Sequence, residues 1–296
     1  MSAEATATPL AAPRPVGVRA QLVRFGRQNR AGFVAGLVLL GIALAAFAAP
    51  LIAPPDPVAM VPRDRLLPPG DGHLLGTDVF GRDVLSRILF GARISLLVGV
   101  ASVLASTVLG TVLGLIAGYV GRWPEYLVMR VMDVVFAFPA VLLAILVVSV
   151  VGAGFTSIVA AIATVYTPIF ARVVRASTLA LKNVEFVQGA VAAGATTRQI
   201  MLRHVLPNVA APILVQLALS LSGAVILEAA LSYLGLGAVP PTPSLGSMLS
   251  ENRTSMELAP WTVLYPGLAL ALLVLAINLF GDAVRDLLDP RLRADV

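Results

Sequence analysis

Residues 183–207, NVEFVQGAVAAGATTRQIMLRHVLP, form a polar interruption between two long apolar segments. The wider stretch 172–208 contains one acid, Glu185, and five basic residues, Arg172, Arg175, Lys182, Arg198 and Arg203. Loops on the cytoplasmic side of a membrane carry such an excess of arginine and lysine. We therefore predict that residues 172–208 form a cytoplasmic loop if the flanking segments span a membrane.

Local patterns predict two short helices in this loop, separated by a break. Asn183 is expected to cap the first helix and Gly194 to end it in the left-handed conformation. Its apolar positions at helical spacing are Val184, Val187 and Val191. Thr196 and Gln199 have the spacing of a capping box, which predicts the start of the second helix, and Pro207 is expected to mark its end. A short, partly basic helix outside the membrane suits docking into a groove of another protein.

The spacing of Ala190, Gly194, Leu206 and Pro207 resembles the EAA loop of permease subunits in bacterial ABC importers. That loop inserts into a cleft on the ATPase subunit, so the resemblance implies that residues 184–207 couple this chain to a separate ATPase. The sequence departs from the family pattern at Gln188, Gly189 and His204, where Glu, Ala and Ile are usual. The candidate coupling residues are Glu185, Gln188, Ala190, Gly194, Thr196, Arg198, Arg203, Leu206 and Pro207. The alternative is a plain solvated loop between two spans.

The composition predicts an all-α integral membrane protein. The 296 residues are 58% hydrophobic and 12% charged, whereas soluble domains are roughly 25% charged. Apolar runs predict six transmembrane helices, at about 33–53, 94–120, 127–151 with a kink at Pro139, 155–173, 209–234 and 261–280. Most basic residues then fall on one side, which places both termini in the cytoplasm. The net charge of +5 is therefore no sign of nucleic-acid binding.

The residue types present argue against a catalytic, metal or nucleotide-binding site in this chain. Cysteine is absent, and the two histidines, His73 and His204, lie far apart and outside the spans, which argues against a zinc site or an intramembrane enzyme. The only lysine, Lys182, is not part of a G-x-x-x-x-G-K-[ST] phosphate-binding loop. We expect no catalytic residue, metal or cofactor here, and the chain is predicted not to be an enzyme. ATP and Mg would be bound by partner subunits.

The order of segments predicts four regions. Residues 1–31 form a basic cytoplasmic tail, and residues 32–92 contain the first transmembrane helix and an external loop with an amphipathic helix. Residues 93–280 form a five-helix permease core that includes the coupling loop 172–208, and residues 281–296 form a cytoplasmic C-terminal tail. A signal peptide is the alternative for the first apolar run, since Ala46, Phe47 and Ala48 resemble a cleavage site, but the leader before it is long.

Residues 73–97, HLLGTDVFGRDVLSRILFGARISLL, resemble the segment before the second span in dipeptide, oligopeptide and nickel importer permeases. Asp78 or Asp83 is expected to cap a short amphipathic helix on the membrane surface. Its apolar face would carry Val84, Leu85, Ile88 and Leu89. The candidate residues of this external segment are Asp78, Arg82, Asp83 and Arg87. A catalytic role of the aspartates is the alternative to use in turns and caps.

Two features within the predicted spans concern contacts between helices. Gly110, Gly114 and Gly118 form a double G-x-x-x-G, which lets another helix approach closely. Glu228 is an ionisable residue in the fifth span, and its burial is costly unless it is paired or hydrated. Two roles for Glu228 stay open: contact with the translocation path or gate, and structural bonding inside the bundle.

Over about residues 30–293 the sequence resembles the transmembrane permease subunit of dipeptide, oligopeptide and nickel ABC importers, in four stretches: 73–97, 130–145, 185–208 and 261–291. The resemblance implies a type I ABC importer permease fold in the bacterial inner membrane. It also implies a second homologous permease forming a heterodimer, two cytoplasmic ATPase subunits and an extracytoplasmic solute-binding protein. The implied cargo is a peptide or nickel. The alternative is a secondary transporter driven by an ion gradient through Glu228.

Overall fold

In the computed structural model, which describes residues 29–53, 56–70 and 72–288, the chain is built of α-helices joined by turns. The helices are α1 (Arg30–Phe47), α2 (Val84–Val120), α3 (Arg122–Ala137), α4 (Ala140–Val151), α5 (Phe155–Lys182), α6 (Glu185–Ala192), α7 (Thr197–Tyr233), α8 (Leu245–Glu251) and α9 (Trp261–Leu288). One-turn helices at Ala49–Ile52, Pro62–Asp64 and Arg253–Ser255 lie in the connections. The prediction of an all-α fold is confirmed.

Five of these helices, α1, α2, α5, α7 and α9, are long and apolar enough to cross a membrane. The remaining predicted span is divided, because α3 and α4 meet at an angle of 99° and together make the sixth candidate span. With 12 residues, α4 alone is about 18 Å long and falls short of the roughly 30 Å hydrocarbon core. The six predicted spans therefore correspond to five single helices and one broken pair.

The break between α3 and α4 lies at Pro139, where the sequence predicts a kink. Proline disfavours the helical conformation of the residue before it, and Phe138 is extended, with φ −82° and ψ 139°. Two ion pairs then hold α3 across α5. Arg175 pairs with Glu125, and the Arg172 Nη2 atom lies 2.8 Å from the Asp133 Oδ1 atom.

The glycine repeat of α2 packs closely against another helix, as predicted, and that helix is α5. A Cβ added to Gly114 would lie 2.6 Å from the backbone oxygen of Ala171, and one added to Gly118 would lie 2.7 Å from the Cβ of Thr178. Gly110 is equally close to Phe170. Because no side chain fits at these positions, the two backbones approach closely and gain dispersion contacts along their length.

The first and last spans meet at one end of the bundle. Asn29 caps α1 by accepting a hydrogen bond from the Gly32 N–H at 2.9 Å, and its Nδ2 donates to the Asp286 Oδ2 in α9 at 3.1 Å. Gly32 packs so closely against Ala283 that a Cβ would not fit. We call this end of the bundle, where α2 and α5 also terminate, the inner end, and the opposite end the outer end.

One predicted boundary is wrong. Residues 84–89 do not form a separate amphipathic helix on the membrane surface, because they are the first turns of the 37-residue helix α2. Asp83 does cap this helix, since its Oδ1 accepts a hydrogen bond from the Ser86 N–H at 2.7 Å. At the other terminus, α9 continues to Leu288, so residues 281–288 of the predicted tail are helical and continuous with the last predicted span. Residues 1–28 and 289–296 of the predicted tails lie outside the described residues.

Candidate functional site

The predicted cytoplasmic loop 172–208 is shorter than expected. Residues 172–182 belong to α5 and residues 197–208 to α7, so only residues 183–196, which contain α6, connect the two spans. Asn183 does not cap α6, because it is the residue that ends α5, with φ −102° and ψ 7°. Val184 precedes α6 without a side-chain cap. We call residues 184–207 the coupling segment.

Gly194 ends α6 in the left-handed conformation, as predicted, with a φ of +80°. Its N–H donates to the Val191 oxygen at 2.9 Å, and the Ala195 N–H donates to the Ala190 oxygen at 3.0 Å. These two bonds are the Schellman motif, which satisfies the last carbonyls of a helix. The break between the two short helices is therefore defined by backbone geometry at a single glycine.

The second helix begins at the predicted capping box but does not end at Pro207. The Thr196 N–H donates to the Gln199 Oε1 at 2.9 Å, and the Gln199 N–H donates to the Thr196 Oγ1 at 3.4 Å. The chain then passes through a π-helical stretch, Ile200–Val205, into Leu206–Tyr233. The wider turn accommodates a residue that lacks an N–H, and the Asn208 side chain donates to the His204 oxygen at 2.6 Å. Residues Thr197–Tyr233 thus form one continuous helix.

One face of the coupling segment is anchored and the other is free. Val187, Ile200 and Val205 are buried in a cluster with Leu115 and Val174 of the spans. The exposed candidate coupling residues are Glu185, Gln188, Gly194, Thr196, Arg198, Arg203 and Pro207, while Ala190 and Leu206 are half-buried. Sequence reasoning missed two exposed apolar residues of this surface, Phe186 and Leu202.

A shallow pocket and one side-chain hydrogen bond distinguish this surface. Arg198, Gln199, Leu202 and Arg203 line a shallow open pocket. The Gln188 Nε2 donates to the Lys182 oxygen at 3.0 Å and so satisfies a carbonyl at the end of α5. A carboxylate, which is usual at this position in the family that the loop resembles, has no hydrogen to donate. The glutamine therefore adds a contact between α6 and α5.

The predicted external residues form a buried ionic cluster at the outer end of α2. The Arg82 Nε donates to the Asp78 Oδ2 at 2.6 Å, and Arg87 in the first turn of α2 also pairs with Asp78. Glu251 of α8 completes the cluster by pairing with both arginines, its Oε2 lying 3.0 Å from the Arg87 Nη1. Asp83 is not part of it and instead lies 2.9 Å from the His73 Nδ1.

Glu251 is the member that sequence reasoning missed. Asp78 and Arg87 are 0% and 1% exposed, and such groups are stable in low dielectric only when paired. The local segment brings two arginines to the cluster but only one acid, because Asp83 is bonded to His73 instead, so a second acid has to come from elsewhere in the chain. Nothing in the local sequence pointed to an acid 164 residues further on.

Glu228 is fully buried between α2 and α7. Its two carboxyl oxygens accept hydrogen bonds from the Ser95 Oγ at 2.6 Å and the Ser232 Oγ at 2.7 Å. These bonds are what the structural alternative predicts, and contact with the translocation path stays a prediction. Among residues 29–53, 56–70 and 72–288 there is no group of three or more His, Cys, Asp or Glu side chains that could hold a metal ion.

The bundle has the fold of a known transporter subunit. A solved structure of the MetNI methionine ABC transporter, in an inward facing conformation, matches with a TM-score of 0.54 at 19% identity, over 70% of this chain and 96% of that chain. At this identity the likeness concerns the fold, which is that of a type I ABC importer permease.

The sequence comparisons define the family. The family model of the binding-protein-dependent transport system inner membrane component matches residues 110–294, and that of the N-terminal TM domain of oligopeptide transport permease C matches residues 23–69. This chain therefore belongs to the family of binding-protein-dependent ABC transport permeases, multi-pass membrane subunits that are not themselves enzymes.

Relatives with named systems are similar over nearly their whole length. The dipeptide transport system permease protein DppC of Alkalihalophilus pseudofirmus is 43% identical over 90% of this chain and 88% of its own. The glutathione transport system permease protein GsiD of Pectobacterium atrosepticum is 45% identical over 92% of this chain and 90% of its own. GsiD of Escherichia coli is 46% identical over 91% of this chain and 89% of its own.

Proposed function

We propose that this chain is one of two related permease subunits of an ATP-driven importer of short peptides in the bacterial cytoplasmic membrane. The named relatives belong to dipeptide and glutathione systems, which favours peptides over nickel as the cargo. An external solute-binding protein would deliver the peptide, and two cytoplasmic ATPase subunits would bind ATP and Mg. The inner end of the bundle, where α1 begins and α9 ends, would then face the cytoplasm.

The observation that carries this proposal is the continuity of the coupling segment with α7. The docking surface around Arg198 and Leu202 lies on the same 37-residue helix as the buried Glu228. That helix is about 55 Å long, enough to cross the whole membrane. An ATPase that displaces the N-terminal end of α7 would therefore move the whole helix as a lever. This movement would change the side of the membrane to which the translocation path is open. Such a lever gives the coupling between ATP binding and access that alternating access requires.

The shape of the coupling segment supports docking over a plain solvated loop. Its buried face fixes α6 to the spans through Val187, while the exposed face presents Phe186, Leu202 and two arginines. Exposed apolar and arginine side chains on a rigid surface are typical of a protein interface. The alternative of a secondary transporter loses support, because the family is binding-protein-dependent and both oxygens of Glu228 are bonded to serines.

A pull-down tests this function. The tagged chain would be purified from its native membranes in mild detergent and its partners identified by mass spectrometry. We expect a second permease and two P-loop ATPases. A chain with Arg198→Glu and Arg203→Glu should lose the ATPases and keep the second permease, because only the coupling segment is altered. Arg253→Glu, at an exposed arginine of the outer end, is the matched control. Recovery of the wild-type chain without any ATPase would contradict the proposal.

A further inference from the structure

Arg93 of α2 forms an ion pair with no acid among the described residues. It lies in the third turn of this span, and its Nε atom is buried without a hydrogen-bond partner. Its guanidinium carbon lies 5.7 Å from the centre of the Phe47 ring. The residue as a whole is half-buried, so part of the side chain reaches the surface of the bundle. Because a charge in a span is costly unless it is paired or hydrated, an anion from outside the chain would complete this site.

The length of α1 places the guanidinium of Arg93 at the depth of the lipid headgroups. The 18 residues of α1 make a helix about 27 Å long, close to the roughly 30 Å hydrocarbon core. The helix begins at the inner end, and Phe47 is its last residue, so the ring lies at the outer boundary of the hydrocarbon. Arginine side chains near such a boundary extend toward the headgroups. The turns of α2 before Arg93 contain the ionic cluster at Arg87, which agrees with a position outside the hydrocarbon.

The two faces of α1 indicate that lipid, and not the second permease, covers its free side. Against α9 the helix packs through small residues, since a Cβ on Gly32 would lie 2.1 Å from the Cβ of Ala283. Its free face exposes large apolar side chains, those of Val34, Leu37, Leu40, Leu44 and Phe47. Residues 31–53 contain no charged or polar side chain. Contacts between helices in a membrane use small residues and polar bonds, and the free face of α1 offers neither.

We propose that Arg93 and Phe47 form a binding site for the phosphate of an anionic phospholipid, in the leaflet at the outer end of the bundle. The planar fork of a guanidinium can donate two hydrogen bonds to two phosphate oxygens, and the aromatic ring holds the same group by cation–π attraction. The site is preformed, because the neighbouring residues Ala46 and Ala92 are buried in one apolar cluster. The bound lipid would tie the last turn of α1 to α2. This role requires that α1 and α2 span a membrane and does not depend on the cargo.

Native mass spectrometry tests this site on the tagged chain and the partners that purify with it. The sample is delipidated in mild detergent and titrated with phosphatidylglycerol. Arg93→Gln should weaken the binding of one phosphatidylglycerol about tenfold or more, because charge-assisted hydrogen bonds are lost. Arg93→Lys keeps the charge without the fork and should weaken it less, and Phe47→Leu should weaken it severalfold. Arg253→Gln, at an exposed arginine of the outer end, is the control and should leave lipid binding unchanged.

Four results would overturn the inference. Equal phosphatidylglycerol binding by the wild type and Arg93→Gln would show that the arginine holds no lipid. Competition by inorganic phosphate at the concentration of the lipid would show a site for a free anion. Loss of the second permease from the Arg93→Gln complex would show that a carboxylate of that protein is the partner. Phe47→Leu keeps the test valid if Arg93→Gln does not fold, because Phe47 is 49% exposed, and undiminished lipid binding by this variant is the fourth result.

Discussion

Replacing Gly194 with valine should uncouple ATP hydrolysis from uptake. The φ of Gly194 is +80°, and no atom lies within 4 Å of the position that a Cβ would take. The cost of a side chain there is therefore one of backbone conformation alone. For an L-residue in the left-handed region it is about 2 kcal/mol, and a β-branched residue is a strong outlier there. That cost changes the equilibrium between the intact and the opened break by a factor of about 30.

Gly189 provides a matched control within α6. It also has open space around its Cβ position, but it lies inside the helix without a positive φ. Gly189→Ala should therefore stabilise α6 by about 0.5–1 kcal/mol, and coupling should persist. Gly194→Asn should be intermediate, because asparagine tolerates the left-handed conformation better than valine.

The assay is peptide uptake and ATP hydrolysis measured together in proteoliposomes that contain the complete complex. Gly194→Val should lower the uptake per ATP hydrolysed about tenfold or more, because the docked segment no longer moves as one piece with α7. If Gly194→Val kept the wild-type ratio, or if Gly189→Ala were equally damaging, the left-handed break would not be what makes the segment rigid.

Three further changes test the packing of the bundle. Gly114→Leu should lower the melting temperature of the detergent-solubilised chain, at a cost of about 3 kcal/mol or more, since its Cβ would lie 2.6 Å from the Ala171 oxygen. The control Gly41→Ala has no atom within 4 Å of the added Cβ and should change the melting temperature little. Equal melting temperatures of the two variants would refute the close approach of α2 and α5. Glu228→Leu should cost about 2 kcal/mol by leaving two serine hydroxyls unpaired, whereas Glu228→Gln should keep both stability and uptake; loss of uptake in a stable Glu228→Gln chain would favour an ion-coupling role instead. Asp78→Ala should lower the free energy of unfolding by about 3–5 kcal/mol, because two buried arginines then share a single acid. A decrease of less than about 1 kcal/mol in thermal unfolding would show that water reaches the cluster.

Features encoded by a few adjacent residues could be predicted from the sequence. The left-handed end at Gly194 and the capping box of Thr196 and Gln199 are confirmed because each depends on backbone groups within a few positions. The close approach at Gly114 is confirmed for a similar reason, since a repeat of small residues has few other uses in an apolar helix.

Features that depend on tertiary context could not be predicted. Pro207 is a common end signal for a helix, but the π-helical stretch before it and Asn208 after it let the helix continue. The cap at Asp83 predicts where a helix begins but not how long it is. The length of α2 becomes clear only in the structure, where it packs against α5 and α7. Arg87 and Glu228 each have one partner from a distant segment, Glu251 and Ser95 respectively, and a charge or carboxyl in an apolar sequence indicates that a partner exists without indicating which residue it is.

The most direct test of the central claim is uptake of a labelled dipeptide by proteoliposomes that contain the two permeases and the ATPases, with the binding protein outside. Uptake should require ATP and the binding protein, should persist when an uncoupler abolishes ion gradients, and should be lost in the chain with Arg198→Glu and Arg203→Glu. Accumulation of the peptide by this chain alone, driven by an ion gradient and abolished by Glu228→Gln, would contradict it.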